Sequence, residues 1–319
     1  MQCVLIYNPV SGRVRHLREE LIKQVAEALR GEGHCVEAVA TRGRGSGSGL
    51  AKDAVSGGVD VVFACGGDGT VHEVIQGLVS EAGELRTALG VVPLGSANAL
   101  ARHLRISLDP VTAALRQVNG KPCAIPVGRL VYGDGVRYFV LMAGAGPDGA
   151  LAREVDSRHK SNWGRLVYYL HAARLFATRS FAAFEVEFKP LGSETVESFE
   201  AVEAMAVRAD SLGGLFGKLV VKGTSVHDAA MKLYILRPPA LVSLPLWFLS
   251  GWLNLHRWNP LLKIVEADWF VCRPSGSLLP QIQADGEWLG SLPMEVSIVP
   301  DALQILLPAP TPEDRTQAR

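Results

Sequence analysis

Val61-Val62-Phe63-Ala64-Cys65-Gly66-Gly67-Asp68-Gly69-Thr70 decides how the first third of this chain folds. Five consecutive apolar residues, with no alternation, suit a strand buried on both faces of a parallel sheet. A glycine-rich turn follows directly, and Val71 to Val79 read as a helix. Three glycines in four positions remove the Cβ atoms that would hold a ligand away from the backbone. They also allow turns in which successive N–H groups converge on an anion. Thr70 is placed to cap the helix, whose positive end would face the same anion. Asp68 beside a phosphate implies an intervening cation, Mg²⁺; otherwise it faces an acceptor alcohol and takes its proton. A tight turn with a solvated Asp is the plain alternative, and the buried strand before it and helix after it favour the phosphate site.

Outward from this turn the pattern repeats. Val4 to Tyr7 predicts a first strand, and Leu17, Leu21, Val25 and Leu29 form one stripe of a helix ending near Gly31. Val36 to Ala40 reads as a second strand, Leu50 to Val55 as a short helix and Ala88 to Val92 as a fourth strand. Ala97 to Leu104 and Val111 to Val118 read as helices. Such alternation predicts a doubly wound α/β domain over residues 1–125, with ligands at the carboxyl ends of its strands.

After Pro126 the rhythm changes. Tyr138 to Ala143, Phe184 to Phe188, Val202 to Arg208, Lys232 to Leu236, Ile264 to Val271, Glu295 to Val299 and Leu303 to Leu307 read as strands, with a helix at Arg165 to Ala177. Residues 126–307 are therefore expected to form a mainly antiparallel β-sandwich domain. The Pro-rich, polar tail 308–319 is expected to be loose.

Composition narrows the partners. The 319 residues are 48% hydrophobic, enough for two cores, and 32 basic residues balance 32 acidic ones. The two signs also balance to within a single charge on either side of residue 125, so a nucleic-acid partner is not expected. Five scattered cysteines without a C-x-x-C pair suit reduced thiols in the cytoplasm. The N-terminal residues lack the features of a signal peptide. Pro238 to Leu255 is free of charge, yet too short and too interrupted by Pro245, Ser250 and Gly251 to span a bilayer. It is expected to pack as a helix or loop. With Trp247, Trp252 and Trp258 near Arg257 and Lys263, an interfacial membrane contact is the other reading.

Two phosphate motifs are excluded. Around Gly217-Lys218, Leu212 and Leu219 occupy positions where a Walker loop needs glycine and a hydroxyl. Gly43 to Gly49 never satisfies G-x-G-x-x-G and is read as a flexible loop.

Four segments in order resemble the diacylglycerol kinase catalytic-domain family, which includes bacterial lipid kinases and sphingosine kinases. They are Asn8-Pro9-Val10-Ser11-Gly12, then Gly66 to Val74, then Pro93-Leu94-Gly95-Ser96-Ala97-Asn98-Ala99-Leu100-Ala101-Arg102, and finally Asp285-Gly286-Glu287. The resemblance implies a nucleotide cleft between an α/β domain and a β-sandwich domain, with ATP and Mg²⁺ as cofactors. It implies nucleotide contacts from Asn8, Thr41, Gly66, Gly67, Asp68, Gly69, Thr70, Val71 and His72, and a hydroxyl near the phosphates from Ser96. Glu287 stands where the family has its proposed proton acceptor. Ser96 replaces the usual Thr, and Ala99 replaces an Asp common in bacterial members. The family's metal-linked Asp-Asp-Gly turn appears as His227-Asp228-Ala229, which leaves Asp228 as the metal candidate.

Read from the residues alone, Asp285-Gly286 is a hairpin turn and Asn98 either orients a phosphate or caps a helix. Gly144 to Gly149 follows a strand and resembles the family's glycine turn facing the cleft; an ordinary loop is the other reading. The expected activity is ATP-dependent phosphorylation of a hydroxyl on a lipid such as diacylglycerol or a sphingoid base. The expected catalytic carboxylates are Asp68 and Glu287, and the expected location is the cytoplasm, with peripheral contact at the inner membrane surface. The alternatives are a kinase for a soluble acceptor, since NAD kinases share the G-G-D-G turn, and a silent nucleotide- or lipid-binding regulator. Oligomeric state is not specified by the sequence.

Overall fold

The computed structural model describes residues 1–9, 15–133, 135–157, 181–210 and 224–309. The expected helix at 165–177, the positions tested for a Walker loop and most of the tail lie outside these ranges. The chain divides into one unit of Met1–Pro126 with the residues from Pro300 onward, and a second of Val127–Val299. The division thus differs from the one read in the sequence at its C-terminal end, where residues after Pro300 pack with the first unit.

In the first unit, strands β1 (Gln2–Tyr7), β2 (Cys35–Ala40), β3 (Val61–Gly66) and β4 (Ala88–Pro93) pair in parallel in the order β2-β1-β3-β4. β3 and β4 are buried along their whole length, as continuous apolar runs require. Helices α1 (Arg15–Gly31), α2 (Ser46–Ser56), α3 (Asp68–Leu78), α4 (Ala99–His103) and α5 (Pro110–Val118) connect them. Ile22, Val25 and Leu29 of α1 and Ala114 of α5 pack on Leu5, Phe63 and Val92 of the strands. α5 is started by Asp109, whose carboxylate accepts the Thr112 N–H at 2.8 Å, with Pro110 at its first position.

The second unit holds β5 (Lys121–Tyr132, entering from the first unit), β6 (Gly135–Phe139), β7 (Met142–Ala145), helix α6 (Pro147–Ser157), β8 (Phe184–Pro190), β9 (Glu197–Ala201), β10 (Glu203–Val207) and β11 (Met231–Leu236). Helix α7 (Ala240–Trp252), β12 (Leu262–Pro274), β13 (Gln281–Ala284), β14 (Glu287–Ser291) and β15 (Met294–Leu307) follow. Strands β14-β13-β7-β10-β11-β12 pair antiparallel in that order around Phe139, Phe184, Phe188, Phe270, Met231 and Ile282. The expected antiparallel sheet domain is therefore present.

Three expectations are corrected. The strand read over Tyr138 to Ala143 is two strands, because the N–H groups of Val140, Leu141 and Met142 turn to the Asp285 carboxylate, each at 2.9 Å. The two strands read at Glu295–Val299 and Leu303–Leu307 are one, β15, which pairs with β12 at its start and with β4 near its end. The Gly43–Gly49 stretch is not a flexible loop: it forms the turn before α2 and the first residues of that helix, and the N–H groups of Gly45, its cap, and Gly47 donate to Glu73 at 2.8 and 3.0 Å.

Candidate active site

Parallel pairing sets the first half of the candidate site. Tyr7 pairs with both Ala40 and Cys65, and Gly66 pairs with Pro93, so β1 to β4 end level with one another. Asn8, Thr41, Gly66–Thr70 and Gly95–Asn98 therefore emerge along one sheet edge, the carboxyl edge where doubly wound sheets hold ligands.

The loop after β3 and the loop after β4 are locked together. A Cβ on Gly95 would stand 2.5 Å from Gly67 Cα, and one on Gly67 would stand 3.3 Å from Gly95 Cα. Both positions need glycine for this backbone approach. Asn98, with φ 49°, closes its own loop: its side chain accepts the Gly95 N–H at 3.0 Å and donates to the Gly95 carbonyl at 2.9 Å. Asp68 Oδ1 accepts the Ala99 N–H at 2.6 Å, capping α4 from the neighbouring loop. Arg18 donates to the Leu94 carbonyl at 2.8 Å, and Arg102 folds back to the Ala97 carbonyl at 2.9 Å.

Gly69 differs from its neighbours. It is exposed, it has no positive φ, and a Cβ there would meet nothing within 4 Å. Neither packing nor backbone conformation asks for glycine there, and the space beside the first turn of α3 is open. The N–H groups of that turn precede any intrahelical carbonyl, and Thr70 and Val71 direct theirs to the Gly67 carbonyl at 3.0 and 3.1 Å. Gly69 lies in the first turn of the helix, at its positive end.

The acidic hairpin belongs to the second unit. Asp285 (φ 47°) and Gly286 (φ 83°) form the two-residue turn between β13 and β14, with both residues left-handed as such a turn requires. The Asp285 carboxylate holds three backbone N–H groups, and its own N–H donates to Met142 at 2.8 Å. Gly286 N–H donates to Gln283 at 2.9 Å, and Gln283 in turn donates to Asp148 Oδ2 at 2.8 Å. Glu287 is ion-paired with Arg137 at 3.2 Å.

Beneath this turn lie two further acids. Glu203 is fully buried and accepts the Asp148 N–H at 3.1 Å; the Asp148 carboxyl is likewise enclosed at the start of α6. Burial pushes Asp148 up to about 6, and burial with the Asp148 charge beside it pushes Glu203 well above the usual carboxylate range. The two carboxyls thus act as a pair that holds a proton. Arg208, with no exposure, donates to the carbonyls of Val226 and Asp228 at 2.9 and 3.1 Å. Burial lowers it to about 10, opposed by the charges of Asp285 and Asp228.

Comparison with known proteins bears on the fold. Residues 2–130 match the family described as the diacylglycerol kinase catalytic domain. These residues are similar to that family's catalytic domain. Over 305 residues the chain is 28% identical to the diacylglycerol kinase of Bacillus subtilis (strain 168), covering 95% of each. A crystal structure of a diacylglycerol kinase from Bacillus anthracis str. Sterne aligns with a TM-score of 0.71 at 20% identity over 98% of each chain. A yeast NADH kinase aligns with a TM-score of 0.50 at 11% identity, covering 99% of this chain and 86% of that one. These two speak for the fold alone.

The expected residues of the first unit do not all play one part. Asn8, Thr41, Gly66, Gly67, Asp68, Gly69, Thr70, Ser96 and Asn98 all lie along the carboxyl edge, with Ser96 exposed. Thr41 is buried, and Asn98 shapes its own loop. Val71 and His72 share the edge only through their backbone, because their side chains are buried with Val74 and Ile75 on the core face of α3. Thr70 is not the helix cap. The cap position is Gly67, and the Thr70 side chain lies back against Gly66, where an added Cβ would stand 2.6 Å from Thr70 Cβ.

Asp228 stands apart. It lies in an exposed turn, and its carboxylate accepts the Ser225 N–H at 2.7 Å. Among the described residues no three His, Cys, Asp or Glu side chains come together to hold a metal. The donor set at Asp228 does not fit a metal, because Ala229 supplies no second carboxylate. The loop at Asp68 does fit Mg²⁺, which commonly takes one or two carboxylates and completes its shell with phosphate oxygens and water.

Sequence reasoning missed Glu73, Asp148, Glu203, Arg208 and Gln283. Asp148 carried one usable signal, a Gly-Pro-Asp sequence of the kind that opens a helix. The others carried none, since each finds its partner through tertiary contact.

Proposed function

We propose that this chain is an ATP-dependent kinase that transfers the γ-phosphoryl group to a hydroxyl of a lipid, diacylglycerol or a sphingoid base being the acceptor classes. The observation that carries this reading is the open space at Gly69, set at the positive end of α3 along the edge where β1 to β4 end level. The family match and the named activity of the Bacillus subtilis relative support it.

When bound, ATP and Mg²⁺ supply the phosphoryl group and a charge that neutralises its oxygens. Gly69 N–H and the first turn of α3 hold the phosphates, and the Ser96 hydroxyl orients them. Asp68 keeps the two loops in register through Ala99 while presenting negative charge to Mg²⁺. Glu287 would take the proton of the acceptor hydroxyl, and ADP would leave with the bridging oxygen. Arg137 fixes the Glu287 carboxylate for this role. The same reading places the enzyme in the cytoplasm, at the inner membrane surface, in phospholipid biosynthesis. Among the described residues no helix is long and apolar enough to cross a membrane.

The test is transfer from γ-labelled ATP to a lipid panel in detergent. Wild-type protein should label one lipid class. Asp68→Ala and Glu287→Gln should each lower kcat about 10²–10⁴-fold. Asp68→Asn should keep the Ala99 hydrogen bond, and so the fold, while losing activity. Label reaching only NAD or a sugar would establish a soluble acceptor, and ATP binding without turnover on any acceptor would establish a silent regulator.

A further inference from the structure

Helix α7 is apolar on both faces, and only one of them is covered. Ala240, Leu244 and Trp247 pack on Val202, Met205, Tyr234 and Leu236, with the Trp247 and Tyr234 rings stacked at 6.2 Å. The other face carries Leu241, Leu249 and Trp252 at 70%, 52% and 71% exposure. Their spacing, with exposed Pro245 between them, makes one stripe along the helix. The patch continues past the helix end through Leu253, Leu255 and Trp258, the last at 76% exposure. Elsewhere among the described residues, exposed large hydrophobic side chains are scattered singly or in one adjacent pair. An apolar surface gathered in this way marks a contact.

Charge and polarity say which contact. From Ala229 to Val265 the chain has no acidic residue, while Lys232, Arg237 and Arg257 are basic and Lys263 is ion-paired with Glu197. Arg257 is exposed beside Trp258. A protein interface takes roughly one hydrogen bond per 100–200 Å², but Ser243 and Ser250 of α7 are buried on its inner side. Hydrocarbon asks for no such bonds. Tryptophans at the rim with a neighbouring arginine suit the headgroup level of an anionic bilayer. At 13 residues α7 is about 20 Å long, less than the ~30 Å hydrocarbon core, so it lies on the membrane and does not cross it.

We infer that the outer face of α7, through Leu241, Leu249, Trp252 and Trp258, docks this protein on an anionic lipid surface. Trp247, buried at 4% exposure, has no part in it. The inference deepens the proposed function, resting on it only in that a membrane-resident acceptor gives the docking its use.

The test is sedimentation with phosphatidylcholine vesicles containing phosphatidylglycerol, comparing wild type with Leu249→Ser/Trp252→Ser/Trp258→Ser and, separately, Arg257→Gln. The triple variant should melt no lower than wild type and bind vesicles at least tenfold more weakly. It should still phosphorylate a water-soluble short-chain acceptor while losing the vesicle-embedded one. Arg257→Gln should weaken binding only when phosphatidylglycerol is present. Unchanged binding by the triple variant would overturn the inference. So would a wild-type dimer in solution that the triple variant dissolves, since a second copy would then cover the face. Wild-type protein that docks through α7 but labels no lipid would leave the docking standing and remove the lipid-kinase reading.

Discussion

The carboxyl edge of the first unit and the acidic hairpin of the second are rigid for different reasons. The edge is shaped by close backbone approach and by side chains from its own and the adjacent loop: Gly67 meets Gly95, Asn98 closes its own loop, and Asp68 caps Ala99. The hairpin is held by charge brought from distant parts of the chain. Asp285 gathers three N–H groups near buried Arg208, while Gln283 and Asp148 brace the next residue. A backbone-shaped site fails by steric clash, whereas a charge-shaped one fails by leaving a buried partner without its counterpart.

That difference can be pressed from both sides. The largest effect is expected from Asp285→Ala, which removes the acceptor for Val140, Leu141 and Met142 and a charge that favours the Arg208 cation. Unfolding in urea should show a loss of about 3–5 kcal/mol.

Next comes a pair of glycine substitutions one loop apart. Gly95→Ala should drive its methyl group into Gly67 and Asn98 and cost about 2 kcal/mol, seen as a fall in Tm. Gly69→Ala should leave Tm within a degree or two of wild type and raise the KM for ATP about tenfold, because its methyl group enters only the open space. Equal losses of Tm at both positions would erase the distinction between a structural and a ligand-facing glycine.

The smallest effect concerns pH. Asp148 is raised from 3.8 to about 6, so the folded protein keeps a proton that the unfolded chain releases. Its contribution to stability is therefore present at low pH and declines as pH rises from about 4 to 6. Glu203, raised by burial, adds to the same decline, so Glu203→Gln removes that second titration while preserving shape and should flatten the decline by roughly 1–2 kcal/mol in melts across this range. A decline unchanged in the variant would place its origin elsewhere.

The same contrast explains what the sequence showed. Gly66–Thr70 and Asp285–Gly286 were legible because their conformations are local: a buried strand, a glycine turn, a left-handed pair. The parallel strands were legible because β3 and β4 are buried on both faces and read as unbroken apolar runs. The Gly43–Gly49 stretch misled because its helical first turn depends on Glu73, many residues later. Tyr138 to Ala143 misled because Asp285 interrupts the strand from a hairpin far along the chain. Thr70 looked like a cap by residue type, and only the packing against Gly66 shows otherwise. Glu203 sits in a strand otherwise apolar in pattern, and nothing local announces that it shares a proton with Asp148.

Strand β15 carries a consequence for how this protein is made. It starts in the second unit and ends in the first, where Ile305 pairs with Leu89 of β4, Ala302 accepts the Ser80 N–H at 2.9 Å and Leu306 joins the core. The first unit therefore cannot complete its sheet as it leaves the ribosome, because the strand that finishes it is translated only after the whole second unit. The nascent chain must carry an open edge on β4 through all of that synthesis, a period when such edges invite mispairing and chaperones have most to guard.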